Sequence, residues 1–180
     1  MGNHSAQVIN LIFQITKLCN DLLPTARWAN IYDSLTTDHC LHFGEQEDRN
    51  HLLQCNFAPR ILWRNDLLVH LQTAHASTEC DPCLLDILID GLDSWFQHKT
   101  LVKTRYPRSY HRLIREQKQI GWRHLFNGHL TQQWRVKQDQ YVRQMGIHTR
   151  HNTGSGWTLR TMTILWRDFF VLWRTRNEAI

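Results

Sequence analysis

The sequence has 180 residues, 42% of them hydrophobic, which is enough for a folded core without disulfide bonds and argues against a disordered chain. Its 21 Lys and Arg residues outnumber 16 Asp and Glu residues, and the net charge of +5 favours a polyanion such as nucleic acid as a partner. Because no run of about 18 apolar residues occurs, we expect no membrane span and a cytoplasmic or nuclear protein.

Apolar residues at helical spacing predict helices in the first half of the chain. The first helix is expected over 6–22 and ends before Pro24, because proline disfavours the α conformation of the residue that precedes it. A short helix is expected over 25–31, and a loop over 32–44, where residues are short and polar. The next helix is expected over 58–71.

The second half of the chain shows four further helical patterns. Their expected bounds are 81–96, 107–128, 131–146 and 157–177. Asp81 and Pro82 are a favourable N-cap and first helical residue, so the start of the first of these helices is well marked. A polar, glycine-containing loop is expected over 148–156.

No alternating strand pattern competes with these helices, so the sequence predicts an all-α fold. We expect a bundle of about five to six helices with a small, zinc-knuckle-like loop and helix near the N-terminus. The expected organisation is an N-terminal helix and knuckle-like segment over 1–57, a helical domain over 58–147, a linker over 148–156, and a C-terminal helix over 157–180 that packs on the bundle.

Cys40, His51 and Cys55 form a candidate metal site. His51 and Cys55 are four residues apart, so on one helical turn their side chains project from the same face. Cys40 lies in the preceding loop close to Gly44, which permits a tight turn. Zinc prefers four tetrahedral nitrogen or sulfur donors, often two from a turn and two from a helix.

The fourth donor of this candidate site is expected at position 43, where the chain has Phe43, which cannot bind a metal. His42 or His39 is then the substitute donor, or water fills the position. The alternative is that the cysteines are metal-free and pack as small apolar residues, because free cysteine is commonly buried in cores. The five cysteines in total are an odd number, which favours reduced thiols over a disulfide framework.

Cys80 and Cys83 form a second C-x-x-C pair at the expected helix start. A helix N-terminus predicts a lowered thiol pKa at Cys83, as redox motifs use, but no βαβ pattern surrounds the pair. A further possibility is that this pair completes a four-donor metal site with His51 and Cys55, because closing such a loop costs little entropy.

Basic residues are concentrated between positions 103 and 123. The candidate nucleic-acid contacts are Arg108, Arg112, Arg115, Lys118 and Arg123, with Trp122 and Tyr106 beside them to stack on bases. The alternative interpretation is the solvated outer face of an ordinary helix.

Motifs of catalysis are missing from the sequence. It has no phosphate-binding glycine loop, no nucleophile elbow and no His-Glu-x-x-His helix. We therefore expect no enzyme activity and no small-molecule substrate. One candidate function is that of a helical module that binds a protein partner without metal, as the alternative to nucleic-acid binding.

Several segments together resemble the zinc-binding region at the C-terminal end of reverse transcriptases of non-LTR retroelements, in the version carried by retroelement-like proteins of microalgae. The resemblance rests on Leu23-Pro24-Thr25, Tyr32-Asp33, Cys40, Gly44, Glu47-Asp48, His51-Leu52, Cys55, Trp63-Arg64, IGWRHLFNG over 120–128 and WRTRN over 173–177. It covers roughly residues 20–180. The resemblance implies a non-catalytic segment that holds RNA or DNA and binds zinc through cysteines at positions 40 and 43, His51 and Cys55, with any polymerase core outside this chain. Because the chain departs from the pattern at Phe43, the alternative is a degenerate copy whose metal site has decayed.

Overall fold

A computed structural model describes residues 12–20, 22–23, 25–33, 37–76, 78–146, 149 and 152–178. Throughout this part of the chain the secondary structure is helical, which confirms the all-α prediction, and the β-structure consists of an isolated antiparallel bridge between His39 and Gln46. None of the helices in these ranges has the length and apolar character that crossing a bilayer requires.

The helices follow one another along the chain with short connections. They are α1 (residues 12–19), α2 (Ala26–Tyr32), α3 (Arg49–Gln54), α4 (Ala58–Ala76), α5 (Pro82–Phe96), α6 (His111–Ile120), α7 (Gln133–Gln144) and α8 (Gly154–Glu178). Single-turn 3₁₀ helices lie at Lys103–Arg105, Arg108–Tyr110 and Trp122–Leu125. The chain divides into two compact units, Met1–Ile61 and Leu62–Ile180, and α4 begins in the first and continues in the second.

The first unit has a small core in which helix α3 is the central element. Leu52 and Leu53 of α3 are fully buried, as is Leu18 of α1. The Arg49 guanidinium donates a hydrogen bond of 2.9 Å to the backbone carbonyl of Leu18, which ties α3 to the end of α1. A buried ion pair of 3.0 Å between Glu47 and Arg60 joins the loop before α3 to the start of α4. Helix α3 and the loop before it are therefore attached to the end of α1 and to the start of α4.

The second unit is organised around two tryptophans. Trp134 of α7 and Trp157 of α8 are fully buried and stack at 5.3 Å with nearly parallel rings. The Trp134 indole N–H donates to the side-chain oxygen of buried Gln117 at 2.9 Å, and that oxygen also accepts from the backbone N–H of Thr131 at 3.2 Å. These hydrogen bonds to the Gln117 side chain on α6 hold α7 in place. Separating the helices would leave the buried amide unpaired, which costs the free energy of desolvation.

Asp81 caps α5 as the sequence predicts. Its carboxylate accepts from the backbone N–H groups of Cys83 and Leu84, at 3.0 and 3.4 Å. The same carboxylate accepts a hydrogen bond from the Tyr110 hydroxyl, so Asp81 also holds the 3₁₀ turn before α6 against the start of α5. Asp90 accepts from the Tyr106 hydroxyl at 2.5 Å farther along α5. The pKa values of Tyr106 and Tyr110 are both raised, with burial as the largest cause, followed by these carboxylates.

Some helix bounds differ from the sequence-based prediction. The helix predicted over 107–128 is present but shorter: α6 spans His111–Ile120, and Gly121 has a φ of +98°, a conformation that interrupts a helix. Helix α4 is longer than expected and reaches Ala76, and α8 begins at Gly154 inside the expected linker. Of the first predicted helix, residues 12–19 are helical and residues 6–11 lie outside the described ranges.

Candidate metal centre

The loop that carries Cys40 is closed by its own backbone. The Cys40 N–H donates to the carbonyl of Glu45 at 2.6 Å, and the Gly44 N–H donates back to the carbonyl of Cys40 at 3.0 Å. Gly44 has a φ of +69°, which glycine adopts without the steric penalty of a side chain. These contacts make a tight turn over residues 40–45, as the sequence indicates, and turn the Cys40 side chain inward, where it is buried.

Helix α3 supplies the other two candidate donors. It begins after Asp48, whose side chain caps the helix by accepting from the backbone N–H of His51 at 2.8 Å. Cys55 is the last residue of this helical turn, and its N–H donates to the carbonyl of His51 at 2.7 Å. The four-residue spacing therefore places both side chains on the same face, as predicted.

The three residues meet in one cluster, which we call the donor group. The ligand atoms of Cys40, His51 and Cys55 all lie within 4.8 Å of one another, and the two sulfur atoms are 4.0 Å apart. Both cysteines are 3% exposed. Burial, as the largest cause, raises the pKa of the Cys55 thiol. The donor group could hold a metal ion, which would offset the cost of ionising these buried thiols.

The imidazole of His51 is oriented by its surroundings. Its Nδ1 atom lies 3.0 Å from a carboxylate oxygen of Glu45. Its Nε2 atom is buried and has no hydrogen-bond partner among the described residues. A buried polar atom without a partner is uncommon in folded proteins and calls for an explanation such as an ion.

The structure brings neither predicted substitute donor to this cluster. His42 is exposed, and its ring stacks on Phe57 with the centroids 3.6 Å apart, so it lies outside the donor group. The His39 ring is also exposed, and its Nδ1 lies 2.6 Å from the Asp38 carboxylate. Phe43 is 52% exposed. In the described residues the donor group thus contains three of the four donors that structural zinc sites use.

The second C-x-x-C pair has a different environment. Cys80 is buried in the second unit and accepts a hydrogen bond of 3.1 Å from the Trp157 indole. Burial raises the pKa of Cys80 to about 12 and that of Cys83 to about 11, and the Asp81 carboxylate adds to both shifts. The expected lowering of the Cys83 pKa by the helix N-terminus is therefore wrong. Thiols this weakly acidic are unsuited to redox exchange at neutral pH.

The predicted basic residues are accessible to a partner. All five side chains of this set, which we call the basic surface, are exposed: Arg108, Arg112, Arg115, Lys118 and Arg123. Arg112 forms an ion pair of 2.7 Å with Glu116 one helical turn away. Arg123 donates to the imidazole of His124 at 3.0 Å.

Trp122 is not available for stacking on bases. Its side chain is buried, and it contacts Trp134 edge-on with the ring centroids 6.4 Å apart. Its ring also covers the surface of Gly91 on α5. Tyr106 is half-buried with its hydroxyl bonded to Asp90. The assignment of Trp122 to nucleic-acid binding is corrected to a core residue, because the Gly121 break turns it inward.

Two ionisable pairs in the structure are not indicated by the sequence pattern. Glu45 next to His51 is one, and its place after Gly44 carries no motif of its own. The other is His70 on α4, whose Nδ1 atom lies 2.6 Å from a carboxylate oxygen of the buried Asp168 on α8. His70 and Asp168 are 98 positions apart, and the contact between Glu45 and His51 depends on the closed turn, so sequence spacing alone finds neither pair.

The chain matches no protein-family model, no curated protein and no solved structure.

Proposed function

We propose that this chain is the non-catalytic C-terminal segment of a retroelement reverse-transcriptase protein, which binds one zinc ion at its donor group and a nucleic acid at its basic surface. The observation that carries the proposal is the meeting of Cys40, His51 and Cys55, with the buried His51 Nε2 directed toward no other partner in the described residues. The resemblance of residues 20–180 to that family supplies the biological setting.

Zinc is favoured over other metals by the type of donor. Thiolates and imidazole are soft or intermediate ligands, which select zinc over magnesium or calcium. The site is small and lies between a tight turn and a helix, as in structural zinc sites. Bound zinc would hold the Cys40 turn against α3 and so stabilise the first unit. Water is the fourth ligand that three protein donors leave room for.

The basic surface supports contact with a phosphate backbone. Its side chains are long, charged and exposed, and the net charge of the chain is +5. Phosphate contacts carry no sequence information, so we propose binding that depends on charge more than on sequence. With Trp122 in the core, base stacking is not part of the proposal.

Metal analysis tests the first part of the proposal. The full chain, purified without chelator, is expected to contain about one zinc per molecule by the ligand count. Cys40→Ser and Cys55→Ser should each lose most of it, whereas Cys19→Ser, the matched control outside the donor group, should keep it. Well under one zinc in the wild-type protein, or equal loss in the control, would show that the cluster is not a metal site.

Binding of single-stranded RNA across a salt series tests the second part. The logarithm of the binding constant should fall steeply with the logarithm of salt concentration, by about 0.7 per phosphate contact. Arg115→Ala and Lys118→Ala should each weaken binding and reduce this slope by roughly one contact. The matched control is Arg174→Ala on α8, also exposed. Absence of binding at low salt would refute nucleic-acid binding.

The second candidate function is a helical protein-interaction module without metal. Large apolar side chains exposed on the second unit favour it, and these include Leu62, Val69, Leu159 and Val171. Apolar groups of this kind stabilise a protein interface when they are covered. A chain without zinc and without salt-dependent RNA binding would leave this candidate as the better interpretation.

A further inference from the structure

The residue of interest is Glu45, which lies beside the donor group without belonging to it. Its carboxylate is 3.0 Å from His51 Nδ1, and its side chain is 72% exposed whereas that of His51 is 11% exposed. The donor group comprises Cys40, His51 and Cys55. The Nδ1 atom of His51 thus lies beside a carboxylate, and the same residue belongs to the cluster that contains the two sulfurs.

This arrangement selects one form of the neutral imidazole. An ionised carboxylate accepts hydrogen bonds and cannot donate them, so the nitrogen that faces Glu45 has to carry the proton. The lone pair is then on Nε2, the buried atom without a partner among the described residues. A metal-binding histidine commonly gives its other N–H to a carboxylate, which fixes the ring and raises its basicity.

Glu45 acts on the site through two separable groups. Its backbone carbonyl accepts from the Cys40 N–H at 2.6 Å and so helps to shape the turn. Its side chain contacts His51. A substitution at position 45 removes the second contact and leaves the first, because the backbone carbonyl is present in every residue. Changes in metal binding can therefore be assigned to the carboxylate.

We propose that Glu45 is a positioning residue of the metal site, which holds His51 in the form that presents Nε2 to the metal. The proposal rests on the metal site of the proposed function and adds the ligand atom and the group that selects it. Because Glu45 is exposed, its effect belongs at the lower end of the 10–100-fold that such partners contribute to metal affinity.

The first test is a titration of the full chain with Zn²⁺ against a coloured chelator. Glu45→Ala is expected to bind Zn²⁺ about tenfold more weakly than the wild type. Glu45→Gln should fall between the two, because its amide oxygen still accepts from Nδ1–H. Glu178→Ala, an exposed glutamate at the end of α8, is the matched control and should equal the wild type. Equal affinity of Glu45→Ala and the wild type would overturn the proposal.

The second test reads the imidazole directly. Long-range ¹H–¹⁵N NMR of the metal-free wild type should show His51 protonated at Nδ1, and Glu45→Ala should shift it toward a mixture of the two forms. His51 protonated at Nε2 in the wild type would overturn the proposal even if a variant fails to fold. A wild type that binds no metal refutes the proposed function and this role with it, whereas metal binding that ignores Glu45 refutes the role alone.

Discussion

The sulfur atoms of Cys40 and Cys55 lie 4.0 Å apart although 15 positions separate the two residues. Two thiolates on one tetrahedral zinc ion, each at about 2.3 Å, are about 3.8 Å from each other. The turn before α3 and the end of α3 therefore hold the sulfurs close to the spacing that zinc requires. Among the described residues no protein donor completes the fourth corner, and position 43 is where the sequence pattern places such a donor.

Replacement of Phe43 by cysteine should strengthen the site. Phe43→Cys is expected to tighten zinc binding by at least about tenfold, because a fourth thiolate would replace water and complete the four-donor set of structural zinc sites. The phenyl ring is half-exposed, so its removal costs little core packing. The measurement is competition for Zn²⁺ against a chelator of known affinity. Leu41→Cys, at another exposed position of the same turn, is the control, and an equal gain there would argue against a defined fourth corner.

Gly91 on α5 is expected to tolerate no side chain. A Cβ atom at this position would lie 2.0 to 2.4 Å from three atoms of the Trp122 ring. Gly91→Ala should therefore lower the free energy of unfolding by about 2 kcal/mol or more, as overpacking does in a core. Urea denaturation measures the loss. In a Trp122→Leu background the same alanine should cost clearly less, and an undiminished cost would show that Trp122 is not the obstacle.

Asp81 is expected to be the most important cap of the second unit. Asp81→Ala removes the acceptor of two backbone N–H groups and of the Tyr110 hydroxyl. The free energy of unfolding should fall by about 2 kcal/mol, because the variant loses the helix cap and leaves the Tyr110 hydroxyl without its hydrogen-bond acceptor. Thermal or urea unfolding provides the measurement. Tyr110→Phe should lower the free energy of unfolding less than Asp81→Ala does. Asp86→Ala removes an exposed acid on the same helix and should be near neutral. A large loss in Asp86→Ala would contradict the specific role of Asp81 as the cap.

The sequence predicts elements of this fold where the signal is local. The start of α5 is marked by Asp81 and Pro82, and the shared face of His51 and Cys55 follows from their spacing. The inward turn of Trp122 does not follow, because it depends on Gly121 adopting a positive φ, which the pattern of apolar residues leaves undetermined. Glu45 and His51 are likewise brought together by the closed turn, and no spacing rule indicates that contact.

His75 should make the second unit sensitive to acid. The ring is fully buried against Trp157 and bonded to the Thr161 hydroxyl at 3.0 Å. Burial, helped by the Arg160 guanidinium, lowers the pKa of His75 from 6.5 to about 4. The folded chain therefore keeps the ring neutral over a range in which the unfolded chain protonates it. Stability is fully present above pH 6.5 and is lost as the pH falls toward 4.

The expected loss between pH 6.5 and pH 5 is about 1.5 kcal/mol, because the unfolded-state ring is half protonated at pH 6.5 and the dependence approaches about 1.4 kcal/mol per pH unit only below that. Urea denaturation of the full chain at several pH values measures it. His75→Gln should be less stable at neutral pH yet lose less on acidification, since glutamine does not titrate. His98→Gln, at an exposed position, should keep the full wild-type dependence. If His75→Gln and the wild type lose the same free energy between these pH values, the acid sensitivity comes from other groups, and the buried ring at position 75 is not its source.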